Sequence, residues 1–207
     1  MNCQSCLNDN SSVIVVDSSV IINLSASGIF AEIMDALPNR IVAVQEVKYE
    51  LERGRSNGYG DAQALESAIE EGKVGLVSLG EKGQSYFVDL VSGPASVSLG
   101  DGEAATIAYA VETSACAVLD ERKANRICDK RYTSLAKVSS TDLLLHENVV
   151  AEIGTSGLSD AVFSALQIAK MRVLPHHQRC ILNLIGPDRA AKCSSLPKAL
   201  RASSSIR

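Results

Sequence analysis

The sequence predicts an α/β fold: a central, mostly parallel sheet with helices on both faces, followed by extra C-terminal helices. Three observations carry this. Short, continuously apolar runs, such as VIVV at 13–16 and ACAVL at 115–119, have the character of strands buried on both faces. Longer stretches with apolar residues at helical spacing lie between them, and strands that alternate with helices imply parallel pairing. A length of 207 residues, 46% hydrophobic and 21% charged, supplies one sizeable core with a short appendage.

The elements follow in order. Ser12 to Val16 is a first strand ending at Asp17, and SSVIINLSASGIFAEIMDAL after it has helical periodicity broken at Gly28. The turn signal Pro38-Asn39 precedes a second strand over Ile41 to Val44, and the next segment sets Val44, Val47 and Leu51 on one helical face. Gly54 to Gly60 reads as a loop, Asp61 to Glu71 as a helix stopped by Gly72, and Val74 to Leu79 as a third strand. Between Gly80 and Ser98 a helix through Tyr86 to Val91 ends before Gly93 and Pro94. Glu103 to Val111 is an almost wholly apolar helix, Ala115 to Leu119 a buried strand, and Arg122 to Cys128 the start of another helix. Ala136 to Ser139 is a last strand, with helices expected over Asp142 to Ile153, Ser159 to Met171 and Pro175 to Ile185.

The formal net charge of -4 conceals a polarised distribution. Lys170 to Arg207 holds eight Lys or Arg and one acid, Asp188, which leaves twelve basic and twenty-three acidic side chains in the rest. Clustering of those acids in one cleft would make a cation site, and the basic tail could either track phosphates or be a solvated, mobile end. No apolar run approaches the roughly 18 to 20 residues that span a bilayer, and MNCQSCLNDN lacks the apolar segment of a signal peptide, so a cytoplasmic protein with no membrane partner is expected. Six scattered cysteines in a chain with a core of its own point to reduced thiols. Cys3 and Cys6 form one C-x-x-C that His176, His177 and Cys180 would complete as a zinc site only if the chain ends met. With no second C-x-x-C, zinc is not expected to be structural.

Four carboxylates carry the functional argument. The carboxyl ends of parallel strands share one sheet edge, so Asp17 and Asp120, each ending an apolar run, converge there. Glu103 lies in the first turn of a helix whose Ile107 and Ala110 share its face, and Asp101 is placed to cap that helix. Glu50 sits on the short helix after the second strand, where a solvated face with Glu46 is the competing reading.

The strings VIVVDSSVIINL, EVKYELERG, SLGDGEAATIAYAVE and AVLDERKANRIC, in that order, resemble the PIN-domain nucleases with an L-G-x-G-E and L-D-[DE]-x-x-A pattern. The resemblance runs from about Val13 to about Asp142 and implies a parallel sheet flanked by helices and RNA cleavage with Mg²⁺ or Mn²⁺ held by clustered acids. By matching position, it implies Asp17, Glu50, Glu103 and Asp120 as catalytic metal ligands, with Ser19 as a small polar neighbour. Asp142 in SSTDLLLH falls where a fifth acid often stands, and it could equally cap the next helix. On this basis residues 1–155 form a PIN-like domain and 156–207 a helical extension with a basic tail. The expected partners are an RNA substrate, an antitoxin protein if the chain is the toxin of a toxin-antitoxin module, and a second copy as a homodimer.

Hard cations prefer oxygen ligands, which is why acids and not histidine or cysteine suit this chemistry. A haloacid-dehalogenase-type phosphatase would need an acid at position 19, where Ser19 stands, and no Walker or dinucleotide fingerprint is present. A PIN-like module that binds without cutting, and a nuclease directed at DNA, remain as alternatives.

Overall fold

The computed structural model describes residues 5–7, 9, 12–54, 60–95 and 97–201. Along the chain run β1 (Ile14–Val16), α1 (Ser18–Ala26), α2 (Phe30–Ala36), β2 (Ile41–Val44), α3 (Gln45–Gly54), α4 (Asp61–Glu70) and β3 (Val74–Val77). Then follow α5 (Glu81–Val91), α6 (Asp101–Thr113), β4 (Cys116–Val118), α7 (Arg122–Arg131) and β5 (Lys137–Val138). The last elements are α8 (Ser140–Leu144), α9 (Glu147–Ile168), α10 (Gln178–Ile185), α11 (Pro187–Ala190) and α12 (Lys198–Arg201). The loop expected at Gly54 to Gly60 falls mostly on residues outside those described.

The chain divides into two compact units, one of which combines Asp9–Ile21 with Pro38–Val138. It holds a five-stranded, wholly parallel sheet in the order β3-β2-β1-β4-β5, so the expected α/β architecture with a parallel sheet and flanking helices is present. β1 is central because it is apolar at every position: Ile14, Val15 and Val16 are fully buried and pair with Ile41, Val42 and Ala43 on one side and with Cys116, Ala117 and Val118 on the other. A strand with both faces covered has no polar side to alternate.

The chain steps from β1 to β2 and β3 on one side, then places β4 and β5 on the other. The order therefore reverses between β1 and β4, and a crevice at the carboxyl ends of such a pair is where open α/β sheets bind ligands. α6 packs over β1, β2 and β4 and against α3 and α5. Its run of Ala104, Ala105, Ile107, Ala108 and Ala110 is fully buried, and the small side chains let the helix lie close to the sheet. The helix ends at Ser114, a left-handed residue (φ 59°). α6 begins two residues earlier than the apolar pattern indicated, and its N-cap is Gly100. Asp101 is thus the first helical residue and not the cap expected of it.

The second unit combines the segment before Asp9, Ile22–Leu37 and the chain from Ser139 onward. Its long helix α9 buries Val149, Leu158, Val162 and Leu166 and packs on α2, α8 and α10. Side chains fasten these elements by bonding to carbonyls left open at helix ends: Ser164 Oγ donates to Ala26 O at 2.7 Å, Asn148 Nδ2 to Ala36 O at 3.2 Å, and Ser159 Oγ to Leu184 O at 2.9 Å.

The helix expected over Asp142 to Ile153 is divided at His146, whose side chain accepts from Asn148 N at 3.3 Å and so starts a new helix. The break expected before Ser159 is only a kink at Gly154 (φ 72°, ψ 162°), a conformation open to glycine alone. At 22 residues α9 is, by length and composition, long and apolar enough to cross a bilayer, which no continuous apolar run suggested. The described part of the basic tail, up to Arg201, packs as the short helices α11 and α12. Ala190, Cys193 and Leu196 are buried, and Arg189 pairs with Asp160 at 2.6 Å while its guanidinium lies 5.1 Å from the Phe163 ring.

Candidate functional site

The sheet unit places Asp17 directly after β1 and Asp120 two residues after β4, on the two strands that flank the reversal in strand order. Both are buried, at 5% and 3% exposure, although each follows a strand whose polar groups are already paired. Asp17 is held in place locally: Ser18 N donates to Oδ1 at 2.6 Å and Ser19 Oγ to Oδ2 at 2.9 Å. Burial nevertheless pushes its carboxyl up to about 6, with the bonds from Ser19 and Ser18 opposing and the charges of Glu50 and Asp120 adding to the rise.

Glu50 approaches from α3. Its Oε2 accepts from Ser18 Oγ at 2.8 Å, so the residue after Asp17 ties the second acid to the first. The approach depends on Gly102 in the first turn of α6. A Cβ there would meet the Glu50 carboxylate and would lie 2.9 Å from Ser18 Oγ, so only hydrogen at that position leaves the room that the Glu50 side chain occupies.

Glu103 follows Gly102 and projects from the same turn. Burial first, and then the charges of Asp17, Glu121 and Glu50, raise it to about 7 against an opposing effect of Lys123. Its Oε1 is buried with no hydrogen-bond partner among the described residues. Asn125 Nδ2 donates at 3.0 Å to both Leu119 O and Glu121 O, fastening the backbone that carries Asp120 and Glu121.

The structure thus brings Glu50, Glu103 and Asp120 each within electrostatic reach of Asp17, and Glu50 within reach of Glu103. Glu50 is exposed, so it belongs to the rim and not to the floor. Two residues were not singled out from the sequence. Glu121 acts on Glu103, and the second acid of the LDE string was its only signal. Ser18 bridges to Glu50, and nothing short of the fold distinguishes it from Ser19.

Asp142 lies in the other unit and is engaged differently. Ser139 N and Oγ donate to its Oδ2 at 2.8 and 2.6 Å, a capping box at the start of α8. Its Oδ1 lies 2.8 Å from His177 Nε2 and accepts from Cys6 N at 2.7 Å. Burial alone would raise this carboxyl, but the bonds from His177, Ser139 and Cys6 together hold it well below the usual carboxylate range. Asp142 is thus the N3 acid of a capping box whose N-cap is Ser139. Cys6, Asp142, His176 and His177 come together, so the meeting of chain ends that the sequence left conditional occurs for these residues. Cys6, Cys116, Cys128 and Cys193 are free thiols, whereas Cys180 is disulfide-bonded, contrary to the expectation of reduced thiols throughout.

Buried carboxylates that raise one another are unfavourable as anions unless a cation compensates them. A hard divalent ion fits this donor set, because the four acids offer oxygen and one buried oxygen, Glu103 Oε1, is without a partner among the described residues. A family model for the PIN domain matches residues 13–135, more than half of the chain. No curated protein and no solved structure matches it.

Proposed function

The chain belongs to the PIN-domain family, and on that premise we propose that it is an endoribonuclease, hydrolysing phosphodiester bonds in RNA with Mg²⁺ or Mn²⁺ bound by Asp17, Glu50, Glu103 and Asp120. The observation that carries the proposal is Glu103 Oε1, a buried oxygen without a partner among the described residues, in an acidic cluster where burial first and neighbouring carboxylates second raise Asp17 and Glu103. An ordinary helix N-terminal acid would face solvent and keep its usual titration range.

When bound, the divalent ion supplies an activated water and neutralises charge building on the phosphoryl oxygens. The chain's own residues prepare for this. Ser18 N and Ser19 Oγ fix both oxygens of Asp17, while Ser18 Oγ holds Glu50 to one side. Gly102 keeps a methyl group out of the space beside Glu50. Glu103, raised to about 7 mainly by burial, would give up its proton to solvent as a cation took its place on the carboxylate. As a corollary we propose the setting of a toxin restrained by a small antitoxin protein, acting in the cytoplasm, alone or as a homodimer.

Incubation of a mixed RNA pool with the protein, with and without Mg²⁺ or Mn²⁺, tests the reading. Metal-dependent cleavage that disappears in Glu103→Gln is expected. Cleavage confined to DNA would reassign the substrate, and metal binding without cleavage of either would make the domain a binding module.

A further inference from the structure

The nuclease reading leaves the cluster around Asp142 unused. Cys6, Asp142, His176 and His177 each present one ligand atom, and those four atoms all lie within 4.8 Å of one another. The residues come from three separated stretches: the N-terminal segment, the start of α8 and the turn preceding α10. Sequence distance makes the coincidence specific, since Cys6 and Asp142 are 136 residues apart and Asp142 and His177 are 35 apart.

The cluster is built as a ligand shell. Ser139 anchors Asp142 Oδ2 by two bonds, which aims Oδ1 at the histidine and the N-terminal segment. Such outer bonds orient a carboxylate ligand in metal sites generally. Asp142 and His177 are buried, at 1% and 3% exposure, whereas Cys6 and His176 are exposed and open to an entering ion. The two histidine rings lie side by side, their centroids 4.1 Å apart and their planes tilted by 50°.

We propose that Cys6, Asp142, His176 and His177 form a zinc site that fastens the N-terminal segment to the C-terminal helices. One sulfur, two imidazole nitrogens and one carboxylate oxygen are the mixed donor set of a tetrahedral Zn²⁺ site, with bonds of about 2.0 to 2.3 Å. Four protein ligands close the coordination shell, which makes the site structural and not catalytic. Mg²⁺ and Mn²⁺, which favour oxygen, are poor competitors for a site with a thiolate. On binding, the Cys6 thiol loses its proton to solvent, and the ion takes the place between Asp142 Oδ1 and His177 Nε2 that their hydrogen bond spans in its absence. The inference reverses the expectation drawn from the missing second C-x-x-C. It is also independent of the nuclease reading.

The test uses the full chain. Elemental analysis of protein purified without chelators should find one zinc per chain, and removing it should lower the melting temperature. Co²⁺ added to the stripped protein should give tetrahedral d–d bands together with a thiolate-to-metal charge-transfer band. Cys6→Ser should lose the charge-transfer band, and His176→Ala, altering an exposed ring and therefore sparing the fold, should lose the zinc. Asp17→Asn should keep both, and excess Mg²⁺ should leave the zinc in place. Zinc content that follows Asp17 and not Cys6 would overturn the proposal, as would metal-free protein that takes up neither Zn²⁺ nor Co²⁺.

Discussion

Replacing Asp17 by Asn separates a metal site from a helix-starting acid, because the two predict opposite changes in the stability of the metal-free protein. Burial first, and then Glu50 and Asp120, lift the Asp17 carboxyl from 3.8 to about 6 in the fold. A raised acid stabilises the folded state fully below its unfolded value, and that contribution is lost as pH rises through the folded one. Above pH 7 the ionised Asp17 therefore costs about 3 kcal/mol, from roughly two pH units at about 1.4 kcal/mol each. That is a ceiling, since Asp17 and Glu103 exchange part of the effect between them.

Asn approximates the protonated side chain. Its oxygen still accepts from Ser18 N, and the Ser19 hydroxyl turns to accept from the amide. At pH 7.5 without metal, Asp17→Asn should melt above the wild type, by up to roughly 6–12 °C, using about 2–4 °C per kcal/mol for a chain of this size. At pH 5, between the unfolded and folded values, the difference should shrink to about half. His146, lowered by burial, and Asp142 titrate alike in both proteins and cancel in the comparison. Mn²⁺ should close the gap, stabilising the wild type by about 2.7 kcal/mol at a hundred times the dissociation constant, and reverse the order at about a thousand times, where the gain is about 4.1 kcal/mol. Differential scanning fluorimetry over pH 5–8, with and without Mn²⁺, reads all of this. An Asn variant that melts lower than wild type at pH 7.5 and ignores Mn²⁺ would refute the reasoning and return Asp17 to helix capping.

Further outcomes follow from the same geometry. Gly102→Ala should lose Mn²⁺ affinity and cleavage, because the added methyl crowds the buried Ser18 and displaces Glu50; undisturbed metal titrations would contradict this. Because Glu103 and Asp17 must be ionised to bind a cation, Mn²⁺ affinity measured by calorimetry should fall by roughly tenfold or more from pH 8 to pH 6. A flat profile would show that neither acid is a ligand. Gly154→Ala should destabilise the protein by about 1–3 kcal/mol from backbone strain alone, as a Cβ there meets nothing within 4 Å, and a thermal melt unchanged from wild type would mean that the kink relaxes. Reversing the exposed Lys192 and Lys198 to Glu should weaken RNA binding and flatten its salt dependence if the tail tracks phosphates. Charge reversal is the cleaner test, because truncation after Ile185 would also remove the buried Ala190, Cys193 and Leu196.

The sequence by itself determined the sheet and the acids at its edge. Runs such as IVV and CAV are apolar at every position, which only a strand covered on both faces can use, so their carboxyl ends and the following Asp17 and Asp120 could be placed without coordinates. Helix boundaries were less legible where one side-chain contact decides them. His146 starts α9 by accepting a single backbone hydrogen bond, and no periodicity reports that. Only the tertiary structure decided the surroundings of each charge. Whether Glu103 Oε1 finds a partner, whether Gly102 leaves room for Glu50, and whether Asp142 turns to His177 and Cys6 depend on groups far apart in the chain. Local pattern encodes which face of an element is buried. It does not encode which distant polar atoms share that burial, and in a low-dielectric interior those atoms set the chemistry of a carboxylate.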